Sequence, residues 1–151
     1  MFYIIRFILS WSIWLVFADK KRWRELLPVC IFGSFLDLVM SIIMFYFPYW
    51  EYFNPSLHPI ITSLADNFDV YPVVIYLFIQ WLPKEQSFCR MFLYWFKWTA
   101  FAIIIEYIHI LTGNMIHLNG WSLWKSYMAD WFLYWLLYQF HKVSNLKKLS
   151  S

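Results

Sequence analysis

Glycine is almost absent, at three in 151 residues. A phosphate-cradling loop needs several glycines within one short turn, and helices packed through repeated small residues need them at regular spacing. The chain can supply neither. Cysteine is as rare: Cys30 and Cys89 are too few for a disulfide framework or a thiolate zinc site, and they read as packing residues. Charged residues make up 14% of the chain, well below the roughly 25% of a soluble domain. What fills the chain instead is apolar, with 62% hydrophobic and 25% aromatic residues. The mean hydropathy of +0.53 understates this, because the scale scores Trp and Tyr as polar and the chain holds 11 of each.

The apolar residues fall into five stretches, 2–17, 28–47, 59–82, 91–111 and 124–140. A helix needs about 20 apolar residues to cross a bilayer, so five spans and their loops use nearly the whole length. The expected fold is therefore all-α, one integral membrane domain of five transmembrane helices over residues 1–143, followed by a short basic tail at 144–151. The first stretch rivals a secretory signal peptide, but Arg6 lies inside the apolar run and no small-residue cleavage site follows. Pro28 suits the first turn of the second helix, whereas Pro72 should kink or break the third.

Basic residues in the connections fix the expected orientation, since Lys and Arg in short loops stay cytoplasmic. Lys20, Lys21, Arg22 and Arg24 follow the first span, Lys84 and Arg90 the third, and Lys142, Lys147 and Lys148 the fifth. The loops 49–58 and 112–120 carry none. The N-terminus is accordingly expected outside and the C-terminus in the cytoplasm, with Lys125 the one basic residue on the outer side, where it can snorkel. Trp23, Trp81, Trp95 and Trp98 mark the inner border, and Tyr49, Trp50, Tyr52, Trp121 and Trp124 the outer one, as interfacial rings do. The net charge of +3 is accounted for by the inner loops, which face anionic headgroups, and needs no nucleic-acid partner.

Chemistry could reside in the ionisable groups within the spans, because an unpaired charge in hydrocarbon is expensive and such groups turn inward to pair. These are Arg6, Asp37, Asp66, Asp69, Lys97, Glu106, His109 and Asp130. The orientation puts Arg6, Asp66, Asp69, Glu106, His109 and Asp130 in the outer half and Asp37 near the midplane, so an outward-opening polar cluster is geometrically allowed. Glu106 and His109, three apart, share a helix face, but carboxylate metal sites repeat that motif with further carboxylates, and here it occurs once. Asp66 and Asp69 form a DxxD pair that solvation at the outer border explains. The outer loop, with Asn114, His117, Asn119 and Trp121, reads as a re-entrant or tight interfacial turn with glycine at positive φ and a helix start capped by Ser122. Three roles compete for the acids: a structural ion pair with Arg6, small-cation or proton binding, and catalysis. Catalysis ranks last, since no HExxH motif, Ser/His pair or aspartyl pair at fixed spacing is present.

Lys21-Arg22-Trp23 before the second span, Asp37 within it, Pro48, Trp50, Glu51 and Tyr52, then His58-Pro59, Pro83, Glu106 and the run Gly120, Trp121, Trp124, Ser126 form an ordered set over nearly the whole chain. In this the chain resembles a family of small five-span membrane proteins of spore-forming Gram-positive bacteria. Members carry His-Gly-Trp or His-x-Gly-Trp, whereas here Asn119 precedes Gly120 and the histidine is displaced to His117. The resemblance implies location in the bacterial cytoplasmic (inner) membrane and the five-helix fold, and supplies no activity. The expectation is a multipass protein without a cofactor that serves as a structural or accessory component of a membrane assembly. Its partners would be the lipid bilayer and a protein or a second copy of the chain; the alternative is cation or proton binding and transport through the acidic cluster.

Overall fold

The computed structural model describes residues 2–52 and 67–149, without the side chains of Phe2 and Tyr3. The chain is predominantly helical: α1 Phe2–Phe17, α2 Trp23–Tyr46, α3 Val70–Gln80, α4 Phe88–Leu111 and α5 Leu123–Val143. Two short strands, β1 Trp50–Tyr52 and β2 Met115–His117, pair antiparallel with Trp50 opposite His117 and Tyr52 opposite Met115. Helix α1 covers the first expected span, and among the described residues only α2 and α4 are long and apolar enough to cross a membrane, so the five expected spans reduce here to two candidates. At about 1.5 Å per residue their 24 residues each extend about 36 Å.

The helix boundaries follow from capping chemistry. Asp19 ends α1, accepts from the Lys21 amide and opens the 3₁₀ turn Lys20–Arg22, which runs directly into α2. Pro28 therefore lies inside α2 rather than in its first turn. The opposite holds for Pro72: it falls in the first turn of α3, where its missing N–H has no helical partner to lose. The chain turns at Asp69 instead, at φ −102° and ψ −88°. The earlier part of the expected third span, 59–66, lies outside the described residues.

Helix α4 ends in a Schellman motif, in which the Asn114 amide donates to the His109 carbonyl and the Gly113 amide to that of Ile110. Gly113 sits at φ +70°, the left-handed geometry this cap requires. Asn119 and Gly120, at φ +48° and +70°, form a tight turn closed by the Trp121 amide on the Leu118 carbonyl, the pattern of a primed turn. The Ser122 carbonyl then accepts from Lys125 and Ser126 to start α5.

Contacts divide the chain into two compact units, one of residues 1–39, 63–82 and 136–151, the other of 40–62 and 83–135. The core of the first is Leu26, Val29, Ile75, Phe78, Ile79 and Leu137, with α1 packed on α3. Gly33 lets α2 approach there, since a Cβ at that position would collide with Ile75 and lie 3.1 Å from Leu137. In the second unit Trp131 is ringed by Phe92, Trp95 and Tyr127, with Trp95 edge-on at 5.9 Å. Polar side chains are buried beside this apolar core, and large apolar ones are left on the surface. Glu25, Asp69, Thr99, Ser126 and His141 are buried, while Ile4, Ile8 and Leu9 of α1, Ile31 and Phe35 of α2, and Ile104 and Ile108 of α4 are exposed.

Candidate functional site

Glu106, half-buried on α4, is the centre of the second unit's polar network. Its Oε1 lies 2.7 Å from His117 Nε2 and accepts from Ser126 Oγ at 2.6 Å. Trp121 Nε1 in turn donates to Ser126 Oγ at 2.8 Å. The histidine partner thus comes from β2, and not from His109 on the same helix. Pairing of β1 with β2, reinforced by the Leu118 amide on the Tyr49 carbonyl, holds His117 in place. The Trp121 ring is wedged against Tyr49 and Trp50 at centroid distances of 5.3 and 5.0 Å. Serine, histidine and acid meet here, but both the serine proton and the histidine nitrogen are directed at one carboxylate oxygen. A hydrolytic triad needs the histidine between serine and acid, so this geometry does not activate a nucleophile.

The other residues of this loop are occupied by the turn. Asn114 Nδ2 donates to Thr112 Oγ1 at 2.8 Å, and Asn119 Nδ2 to the Pro48 carbonyl at 2.6 Å. Lys125 Nζ donates to the Gly120 carbonyl at 2.6 Å. His109 is half-buried with its ring edge-on to Tyr52. Asp130 is half-buried on α5, one turn beyond Ser126, and Lys97 is exposed on α4.

In the first unit, Arg6 Nε donates to Asp69 Oδ2 at 2.7 Å, with the Asp69 side chain only 3% exposed. The turn that carries Asp69 is pinned by Trp11 Nε1 on the Phe68 carbonyl and Ser34 Oγ on that of Asn67. Arg6 and Asp69, two of the residues named in the sequence analysis, thus form an ion pair. Asp37 is half-buried on α2, and Asp66 lies outside the described residues. Of the acids for which a shared cluster was geometrically allowed, Asp69 bonds within the first unit and Glu106 within the second.

A third network, built around Glu25, escaped the sequence reading. Glu25 is fully buried and takes a two-pronged bond from Arg22, Nη2 to Oε1 at 2.7 Å and Nε to Oε2 at 2.9 Å. His141 Nε2 reaches the same Oε1 at 2.8 Å from the far end of the chain. Arg22 Nη1 also donates to the Gln80 carbonyl, while the Gln80 amide receives the Asp19 N–H and donates to the Phe17 carbonyl. Tyr76 Oη donates to the Asp19 carbonyl at 2.8 Å. The ends of α1 and α3 thereby gain partners for carbonyls that a helix terminus leaves open. An acid two residues into α2 beside an arginine was a visible signal, but it read as part of a charged loop.

Among the described residues no group of three or more His, Cys, Asp or Glu side chains is placed to hold a metal ion. Comparison with family models, with curated proteins and with solved structures finds no match.

Proposed function

We propose that the chain is a multipass protein of the bacterial cytoplasmic membrane and acts as a structural or accessory component of a membrane assembly. The observation that carries this is the extent of large apolar side chain left exposed along the helices. Long apolar side chains of α1, α2 and α4 face outward, as lipid or a protein partner in the bilayer requires, while Glu25, Asp69 and Glu106 are each consumed by a neighbouring side chain. Ions or protons in transit need acids that face a hydrated cavity. The two cavities described are lined by apolar surface. The resemblance to five-span proteins of spore formers supports the same location.

The test compares the purified wild type with Glu106→Gln, reading thermal stability across pH and with mono- and divalent cations. The variant should melt lower under all conditions, with neither protein gaining from a particular cation. Stabilisation of the wild type alone by one cation or one pH step would transfer the proposal to cation or proton binding. Native electrophoresis after mild solubilisation should show the 18.7 kDa chain in a larger complex; a monomer there would refute the accessory role.

A further inference from the structure

A half-open cavity of about 160 Å³ in the first unit is lined by Trp11, Trp14, Trp23, Leu27, Cys30, Pro72, Val73 and Tyr76. Its aromatic wall is fixed. Trp11 meets Trp14 edge-on at 5.6 Å, Trp14 meets Tyr76 at the same distance, and Tyr76 is tethered through its hydroxyl to the Asp19 carbonyl. Cys30 Sγ, aimed at the Pro72 carbonyl at 3.4 Å, closes the back. A cavity of this kind gives no hydrogen bonds to a polar ligand and suits a hydrocarbon chain.

Two of its rings carry cations. Lys20 Nζ lies 6.0 Å from the Trp14 centroid, and the Arg24 guanidinium 5.5 Å from that of Trp23. Such placement over a ring face is favourable and holds a long basic side chain in one region. Lys21 follows Lys20 in the same exposed turn. The opposing charges are limited: Glu25 is buried against Arg22, and Asp19 is the one acid in the turn, with its Oδ1 bonded to the Lys21 amide. Three exposed cations against one acid leave a cationic rim beside an apolar slot.

We propose that this cavity and its rim form a binding site for one anionic phospholipid, with an acyl chain against Trp11, Trp14, Leu27 and Tyr76 and the phosphate on Lys20, Lys21 and Arg24. The proposal rests on the membrane reading and adds a defined ligand to it. Charge complementarity selects the occupant: an apolar peptide segment would fill the slot but leave the cations unanswered, and a zwitterionic lipid would place its own cation among them. The site sits in the turn that also anchors α1 to α3 through Gln80, so an occupying lipid would brace that junction.

The experiment is native mass spectrometry of the purified full chain titrated with phosphatidylglycerol or phosphatidylcholine of identical chains. Carbonate extraction of membranes is done first. Release of the chain by carbonate would sink the membrane reading itself, whereas an embedded chain that retains no anionic lipid would sink only the site. The wild type should retain one phosphatidylglycerol in preference to phosphatidylcholine. In K20Q/R24Q that preference should fall by about 30-fold, at roughly fivefold for each cation near an anionic headgroup. K147Q/K148Q, which removes equal charge from the tail, should keep it, and an equal loss there would reduce the effect to overall charge and overturn the proposal. Leu27→Trp, at a half-exposed position where bulk can be accommodated, fills the slot and should reduce retention of both lipids; unchanged retention would also overturn it.

Discussion

Gly33→Ala offers a sharp test of how the first unit packs, because two effects of known size oppose each other. Alanine in place of glycine in a helix interior is worth about 1 kcal/mol through backbone entropy. Against that, the new methyl would collide with Ile75 Cδ1 and press on Leu137 Cδ2 at 3.1 Å. Ile75 and Leu137 are 2% and 0% exposed, so neither can swing its terminal methyl into open space, and overpacking of this kind costs about 1–3 kcal/mol. The clash should win, for a net loss of about 1 kcal/mol. Ile75→Val removes only the offending methyl. On its own it should cost about 1 kcal/mol, but in the Gly33→Ala background it vacates the space the alanine needs. The double variant should therefore be at least as stable as Gly33→Ala alone, with a favourable coupling of about 1–2 kcal/mol. Unfolding by SDS titration, followed by circular dichroism, measures all four corners of the cycle. Stabilisation by Gly33→Ala, or an equal cost of Ile75→Val in both backgrounds, would refute the close approach of α2 described above.

Gly120→Ala should also destabilise, by about 1 kcal/mol, but for a different reason: its Cβ would meet nothing within 4 Å, and the cost is that of a non-glycine residue at φ +70°; no coupling to any neighbour is expected in the same assay. Glu25→Ala should be the most damaging single change, at about 3–5 kcal/mol, because Arg22 and His141 lose their shared buried partner. Glu25→Gln, which keeps an acceptor, should unfold at intermediate SDS, and an Ala variant as stable as the wild type would remove Glu25 from the fold's anchors. Cys89 is exposed and Cys30 buried, so a membrane-impermeant maleimide should label Cys89 rapidly in inverted vesicles and spare it in right-side-out ones. The reverse pattern would invert the expected topology.

Much of the backbone was readable from composition and local chemistry. An apolar run without glycine or proline becomes α1 over the very residues anticipated, and glycines between polar neighbours become left-handed turns at Gly113 and Gly120. The proline assignments were exchanged for a local reason. The charged segment after Asp19 winds directly into α2, carrying Pro28 inside, whereas the chain breaks at Asp69 and leaves Pro72 in a first turn that tolerates it. Pairing of β1 with β2 was invisible, because three-residue strands so far apart in the chain leave no period to detect.

Sequence alone determined the helical class, the apolar lengths, the distribution of charge between connections and the presence of acids within the apolar stretches. Only tertiary structure decided which acid meets which base: Glu106 with His117 and Ser126, Asp69 with Arg6, and Glu25 with Arg22 and with His141, 116 residues away. The physical reason lies in the helices themselves. Hydropathy fixes how far along its axis a polar residue sits, but a helix that is apolar on nearly every side has no preferred face, so its rotation, and with it the partner of each buried charge, is set by packing against its neighbours.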